Sequence, residues 1–268
     1  AKGRADTLTN EASVKAFATE VSRYLGTSSG SYADGQITGL ATGYYLIKND
    51  TVGDNETYTS FILKVVKNVT VSPKGDKPTL EKKVMDANDT EGSTSGWQDS
   101  ADHDIGDDVP FKLTAKIASN FDDYSTYKFV FHDEQSAGLT FKPETVEVTV
   151  GGTKLNPADY TVETNLTDGC TFHVVINDLK KISSAAANVD VVVAYKSKLN
   201  ENAEIGSKGN PNEAYLGYSN NPHNSNDTTT TPKDKVTVFT FKVVANKING
   251  TDDKPLKGAA FALYKKGK

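Results

Sequence analysis

Short runs of β-forming residues alternate with turn residues from Leu80 to Tyr218, and this alternation constrains the fold more than any other feature of the sequence. Turn signals such as VGGTK and NPAD separate the runs, and no helical period is sustained between them. Several short strands at this spacing predict a β-sandwich. The clearest predicted strands are VPFKLTAKI (109–117), YKFVFHD (127–133), ETVEVTV (144–150), TFHVVIND (171–178) and VDVVVAYKSKL (189–199).

The stretch before this region predicts one helix and two further strands. The helix is predicted over residues 10–25, with Thr9 or Asn10 able to cap its start. Strands are predicted at 39–47 and 59–71, where β-forming residues are bounded by turn residues. The apolar stripe of the helix follows the i, i+3, i+4, i+7 spacing and comprises Val14, Phe17, Val21, Tyr24 and Leu25.

Two polar stretches suggest where domains meet. SPKGDKP (72–78) is punctuated by Pro and Gly, and NNPHNSNDTTTTPKDK (220–235) is a polar segment of low complexity. We therefore expect a fragment of a longer protein that contains one complete domain between two incomplete ones. The predicted parts are the end of an N-terminal domain (1–76), a complete middle sandwich (77–222), a linker (223–235) and the opening strands of a third domain (236–268).

Composition narrows the functional classes. The net charge is −5 with the two signs interspersed, so nothing indicates a nucleic-acid partner. No window approaches the roughly 20 apolar residues that a membrane-spanning helix needs. Cys170 is the single cysteine, which rules out an intrachain disulfide, the usual staple of secreted β proteins. A secreted chain of this kind needs another form of stabilisation.

The alternation of inward and outward side chains along each strand, called strand parity below, indicates that Lys82, Asp133 and Asn212 point into the core. Side chains alternate between the two faces of a strand, so each of these polar residues continues a row of apolar ones. Burying an unpaired Lys or Asp is costly, but three such groups together could satisfy one another. The rows are Leu80, Lys82 and Val84; Tyr127, Phe129, Phe131 and Asp133; and Asn212, Ala214, Leu216 and Tyr218.

Two interpretations of these residues remain open from the residues alone. In the first they form a buried ion pair with an amide hydrogen bond, or they are exposed at strand ends. In the second they react: burial lowers the pKa of a lysine and raises that of a carboxyl group. A neutral Lys82 amine could then attack the Asn212 amide carbon while Asp133 shuttles the proton, leaving a new amide bond.

KPTLEKKV (77–84), HDEQSAGLTF (132–141) and NEAYLGYSNNP (212–222) resemble, in order and spacing, the middle domain of Gram-positive major pilins. The resemblance implies tandem immunoglobulin-like β-sandwiches, the middle one of the collagen-adhesin A type. It also implies an isopeptide bond between Lys82 and Asn212, assisted by the acid Asp133. Such proteins are structural rather than enzymatic, apart from this self-catalysed reaction.

Two further lysines acquire roles through the same resemblance. VTVSPKG (69–75) is similar to the pilin motif, which makes Lys74 the sortase nucleophile, although Ser72 and Gly75 replace the family's usual aromatic residue and Asn. FKVVANKINGTDDKPLKGAAFALY (241–264) resembles the opening of a collagen-adhesin B-type domain. Lys247 would be its isopeptide lysine, with its partner beyond the end of this chain.

The function implied is a shaft subunit of a cell-wall-anchored extracellular pilus, secreted, carrying an LPXTG sorting signal, and joined head to tail with identical subunits by a pilin sortase. The alternative is a ligand-binding wall-anchored adhesin, or a tip or basal pilin, that contacts a host surface ligand through the same sandwiches. A hydrolase is disfavoured because no catalytic triad or carboxylate pair can be placed in a cleft.

Metal-binding signals are weak in the sequence. No cofactor is predicted, although the carboxylates of residues 86–108 are of the type that Ca²⁺ takes as ligands. These residues match no EF-hand spacing and are interpreted as a solvated acidic loop. Cys170 is interpreted as a small buried residue. The four histidines show no metal-ligand spacing; they are His103, His132, His173 and His223.

Overall fold

The computed structural model describes residues 11–28, 30, 33, 36–49, 51–53, 56–58, 60–65, 76–88, 93–222, 224–252, 254–258 and 260–262. β-strands are the main regular structure of these residues. Within these ranges there is one α-helix, α1, which spans Glu11–Ser22, and there are two 3-10 helices, which span Phe121–Asp123 and Leu179–Lys181. None of the helices in the described ranges is both long enough and apolar enough to cross a membrane.

The strands are numbered β1 to β15 in chain order. They are Gly43–Lys48, Ser60–Val65, Thr79–Asn88, Ser93–Gln98, Ser100–Asp102, Asp108–Lys116, Phe129–Gln135, Leu139–Val150, Thr153–Lys154, Thr161–Glu163, Phe172–Ile176, Asp190–Leu199, Asn210–Ser219, Thr228–Thr230 and Asp234–Phe239.

Two sheets form the sandwich. The six-stranded sheet has the order β4-β3-β6-β12-β8-β9, and the seven-stranded sheet has the order β10-β11-β7-β13-β15-β5, with β14 beside β13. All pairings in these sheets are antiparallel except that of β15 with β5, which is parallel. The predicted mainly-β sandwich with one helix is confirmed.

The core lies between the sheets and follows the alternation of each strand. In β6, every second residue from Val109 to Ala115 is fully buried, while the residues between them are only partly buried. Tyr195 of β12 is the aromatic centre of the core, stacked on Phe111 and edge-on to Phe172. Complete burial of such side chains stabilises the fold by about 1.5–3 kcal/mol each.

The seven-stranded sheet extends beyond the predicted middle domain. β15 begins at Asp234 and pairs with β13, so its residues complete this sandwich although the sequence assigned 236–239 to a third domain. The reason is that Val236 and Val238 fill inward positions and are fully buried. The polar composition of the preceding segment also conceals β14, which pairs with the end of β13.

Other boundaries also differ from the predictions. α1 ends at Ser22, because the amides of Arg23 and Tyr24 bond to carbonyls three residues back and tighten the last turn. Tyr24 is therefore 78% exposed instead of lying on the apolar stripe. The predicted acidic loop at 86–108 contains β4 and β5, because Ser93–Gln98 form an edge hairpin with β3.

The segment after β15 does not form the predicted strand. Residues 240–247 have no strand assignment, and Phe241 and Val243 are 69% and 79% exposed. Apolar side chains without a facing sheet cannot be buried, so the strand pattern alone does not produce a strand here. The division of the chain into three domains remains a prediction.

We expect Gly138→Ala to destabilise the sandwich. A Cβ at Gly138, in the turn between β7 and β8, would lie 2.1 Å from Asn210 Oδ1 and 2.7 Å from Ala203 Cα. Relieving that overlap requires movement of backbone and of a side chain that accepts the Glu204 amide, at a cost of about 1–3 kcal/mol. Chemical denaturation measures this as a lower free energy of unfolding.

Gly26→Ala is the matched control, because a Cβ there meets no atom within 4 Å. Equal stability of the two variants would contradict the proposed overlap.

Candidate functional site

Three strands converge on one buried polar cluster. Lys82 lies on β3 of the six-stranded sheet, whereas Asp133 on β7 and Asn212 on β13 lie on the seven-stranded sheet. Asp133 is paired with Ala214, so Asn212, two residues before Ala214 in β13, is its diagonal neighbour on the inner face. The lysine therefore reaches across the core from one sheet to two neighbouring strands of the other.

All three side chains are fully buried, each with 0% exposure. Lys82 Nζ donates a hydrogen bond to Asp133 Oδ2 and forms an ion pair with it. The structure thus brings together the three residues that strand parity selects, as neighbours inside the core.

Tyr195 is a fourth member that the sequence analysis missed. Its hydroxyl donates to Asp133 Oδ2 at 2.7 Å and accepts from Lys82 Nζ and from Asn212 Nδ2, each at 3.0 Å. One oxygen therefore joins the acid, the amine and the amide. The sequence does contain a feature that indicates this role. Tyr195 continues the inward row of Val191 and Val193, and a buried tyrosine hydroxyl usually needs a polar partner.

A second layer of hydrogen bonds holds these groups in place. Gln135 Nε2 donates to Asp133 Oδ1 at 3.2 Å, and Ser197 Oγ donates to Gln135 Oε1 at 3.0 Å. On the other side, Asp234 Oδ2 accepts the Lys82 backbone amide at 2.7 Å. Asp234 belongs to β15, so this strand fixes the backbone that carries the lysine.

Burial controls the protonation of the cluster. It lowers the pKa of Lys82, and the Asp133 carboxylate opposes that shift. Burial and the neighbouring Asp133 also raise the pKa of Tyr195 well above its usual value, so the phenol keeps its proton. Asn212 Oδ1 is buried and has no hydrogen-bond partner among the residues that the structure describes. A buried acceptor without a hydrogen bond lowers the stability of the fold, and a donor that formed a hydrogen bond to it would remove that penalty.

The sequence also predicted two further site lysines. Lys74 lies outside the described residues. Lys247 is exposed, in the segment that follows β15, and does not belong to the buried cluster. Of the predicted site residues that the structure describes, it therefore brings together Lys82, Asp133 and Asn212.

The fold and the cluster define a class: an immunoglobulin-like β-sandwich with a lysine, an acid and an asparagine buried between its sheets. Residues 105–222 match the family model described as Gram-positive pilin backbone subunit 2, Cna-B-like domain. This match confirms the resemblance to Gram-positive pilins found in the sequence. The description is Cna-B-like, whereas the resemblance had implied the A type.

Similar proteins agree with this assignment. The trypsin-resistant surface T6 protein of Streptococcus pyogenes serotype M6 is 27% identical over 175 residues, which cover 60% of this chain and 33% of that protein. The solved T6 backbone pilin of S. pyogenes serotype M6 matches with a TM-score of 0.62 at 20% identity, covering 94% of this chain and 59% of that one. The full-length major pilin SpaD from Corynebacterium diphtheriae matches with a TM-score of 0.57 at 23% identity, covering 81% and 52%.

The two structural matches support the fold alone, and this chain spans about a third of the T6 surface protein's length. The matched family is one of structural pilus subunits, in agreement with the prediction that the chain is not an enzyme.

The ion pair can be tested with variants that cannot cross-link. Lys82→Met leaves the Asp133 carboxylate buried without its cation, and Lys82→Met/Asp133→Asn removes that charge while keeping the side-chain shape. We expect the double variant to be more stable than the single one by at least about 1 kcal/mol in chemical denaturation, because an unpaired buried charge costs more than a buried neutral amide. A double variant no more stable than Lys82→Met would contradict a buried charge at Asp133.

Proposed function

We propose that this chain is a structural subunit of a covalently polymerised Gram-positive pilus, and that its middle sandwich is locked by an isopeptide bond between Lys82 and Asn212. The observation that carries the proposal is the fully buried cluster in which one Tyr195 hydroxyl bonds to the amine, the amide and the acid. The pilin family match at residues 105–222 supports the same assignment.

The reaction begins with proton transfer from Lys82 Nζ to Asp133 Oδ2, which are already in contact. The neutral amine attacks Asn212 Cγ, and the protonated acid supplies a proton to the amide as the tetrahedral intermediate forms. The Cγ–Nδ2 bond then breaks and ammonia leaves. Asp133 then takes the remaining extra proton from Nζ and passes it to the departing ammonia, which leaves as ammonium. Asp133 is again a carboxylate, and one Nζ–Cγ amide bond has replaced the Cγ–Nδ2 bond.

Tyr195 acts as a positioning residue in this reaction. The entering nitrogen, Lys82 Nζ, and the leaving nitrogen, Asn212 Nδ2, both donate to its hydroxyl at 3.0 Å. Because both nitrogens are hydrogen-bonded to one oxygen, they are already confined to a small volume. Less entropy is therefore lost when they reach the geometry of the transition state. The stacking of its ring on Phe111 fixes that oxygen in turn.

The bond would join β3 of one sheet to β13 of the other, and so would cross-link the two layers of the sandwich. The link would close a loop of about 130 residues, from 82 to 212, and a covalent link of this span stabilises a fold by about 5 kcal/mol when it acts through chain entropy, as a disulfide does. This link needs no oxidising environment. It would therefore supply the stabilisation that a single cysteine cannot.

Intact-mass spectrometry of the purified chain tests the bond. We expect the measured mass to fall below the sequence mass by one ammonia, and a peptide linking residues 82 and 212 to appear after digestion. Asp133→Ala is expected to restore the full mass, because the proton shuttle is lost. Tyr195→Phe is expected to slow the mass loss after synthesis while the fold persists.

Lys83→Ala is the matched control, since Lys83 is the next residue on β3 and bonds to the exposed Asp99 instead. It should show the same ammonia loss as the natural chain. A natural chain of unmodified mass would disprove the cross-link.

Polymerisation is assigned to Lys74. The amine of this residue would attack the thioester that a pilin sortase forms with the preceding subunit, giving an intermolecular amide bond and freeing the enzyme's thiol. The support is the sequence Ser-Pro-Lys-Gly at residues 72–75, which resembles the pilin motif, together with the family match. In this proposal the subunits are extracellular, anchored to the cell wall, and divided into the three parts predicted from the sequence.

A sortase assay separates a shaft subunit from a ligand-binding adhesin built from the same sandwiches. With a pilin sortase and a fluorescent sorting-signal peptide, we expect one label per chain, mapped to Lys74 by digestion and mass spectrometry. Lys74→Arg should abolish labelling, because the guanidinium stays protonated, and Lys77→Arg should leave it unchanged. Labelling that persists in Lys74→Arg would refute the assignment and favour the adhesin.

A further inference from the structure

Two histidines that are distant in sequence are direct neighbours on the outer face of the seven-stranded sheet. Antiparallel pairing of β7 with β11 sets His132 opposite His173. Phe131 and Phe172, one residue before each, point into the core, so the histidines point away from it. Their rings meet edge to face with centroids 4.0 Å apart. No local spacing motif could have indicated this pair, because strand pairing creates it.

The loop between β10 and β11 adds two more potential ligands. Asp168 Oδ2 lies 2.9 Å from His173 Nε2 and 3.7 Å from His132 Nδ1. Cys170 Sγ lies 3.8 Å from His132 Nδ1, and the residue is half-buried, not fully buried as predicted. One donor atom from each of the four residues lies within 4.8 Å of the other three.

We propose that His132, Asp168, Cys170 and His173 form a binding site for a zinc-type divalent transition-metal ion. Two imidazoles, a thiolate and a carboxylate are ligands that Zn²⁺ takes in tetrahedral geometry. With metal–ligand bonds of about 2.0–2.3 Å, the edges of such a tetrahedron measure about 3.3–3.8 Å. Three of the six separations between these donor atoms are 2.9, 3.7 and 3.8 Å, and all six are below 4.8 Å, so adjustments of about 1 Å or less reach that geometry.

Binding of a cation here displaces the proton of the Cys170 thiol, because the thiolate is the form of cysteine that ligates metals.

Surrounding groups hold the ligands in the required orientation. His173 directs Nε2 to Asp168 and Nδ1 towards Glu163 Oε2 at 3.6 Å, the carboxylate–histidine arrangement that commonly supports metal-bound imidazoles. Tyr215 stacks on His132 with ring centroids 4.3 Å apart. Gly217 leaves room for that ring, because a Cβ there would lie 3.2 Å from His132 Nε2.

A metal-free network is the competing explanation. Asp168 already accepts the Cys170 backbone amide at 3.1 Å and contacts His173, so it could serve only to fold the loop. In that explanation the thiol only forms long hydrogen bonds, to His132 Nδ1 at 3.8 Å and to the Tyr215 hydroxyl at 3.7 Å. A bound cation would clamp the loop onto β7 and β11, independently of the Lys82–Asn212 link.

Cobalt titration of the reduced, untagged full chain tests the site, since Co²⁺ reports its ligands by absorption. We expect one Co²⁺ per chain, ligand-field bands of tetrahedral cobalt, a thiolate-to-cobalt charge-transfer band, and displacement of cobalt by Zn²⁺. Cys170→Ser should remove the charge-transfer band, and His173→Ala should weaken binding. Glu163→Gln, which keeps all four ligands, should weaken binding by about tenfold.

His103→Ala is the matched control, because that histidine bonds to the Met85 carbonyl away from the cluster, and it should bind cobalt as the natural chain does. A thermal melt adds a second readout: Zn²⁺ should raise the Tm of the natural chain but not that of Cys170→Ser. The proposal fails if the natural chain does not bind, or if binding and Tm are the same in Cys170→Ser and His173→Ala as in the natural chain.

Discussion

The contact between Lys82 and Asp133 in the centre of the sandwich is the constraint on which the rest of the structure depends. Two charged groups with no exposure are tolerated only when their hydrogen bonds are satisfied, because removal from water costs several kcal/mol per ion. Tyr195 and Gln135 meet that demand for the carboxylate. The register of β3 against the opposite sheet is thereby restricted, since a slip of one residue would move the lysine out of the core and Lys83 into it.

Strand parity could predict this site because it depends only on alternation within each strand. The buried rows ending in Asp133 and beginning with Asn212 could be found without knowledge of strand order. Tyr195 carried the same alternation signal, but its role depends on β12 facing the seven-stranded sheet across the core. That relation is set by packing between layers, which sequence periodicity does not encode.

Edge strands and long-range pairs were less predictable for related reasons. β4 is largely exposed and rich in Ser and Thr, so it lacks the apolar alternation that marks a core strand. The residues of β15 were recognised as β-forming, but their assignment to this sandwich depends on hydrogen bonds to β13. His132 and His173 meet through a pairing of strands separated by more than 30 residues, a distance at which spacing motifs carry no information.

β7 links the two proposed sites, because adjacent residues of this strand point to opposite faces of the sheet and each contributes to one site. Asp133 points inward to the lysine and the asparagine, while His132 points outward to His173 and the β10–β11 loop. In the sheet, β7 lies between β13, which would carry the isopeptide, and β11, which would carry a metal ligand. A covalent link on one side and a cation on the other would hold this strand from both faces. Because the link would be permanent and the cation exchangeable, the stability of the β10–β11 edge would depend on metal concentration while the core would not.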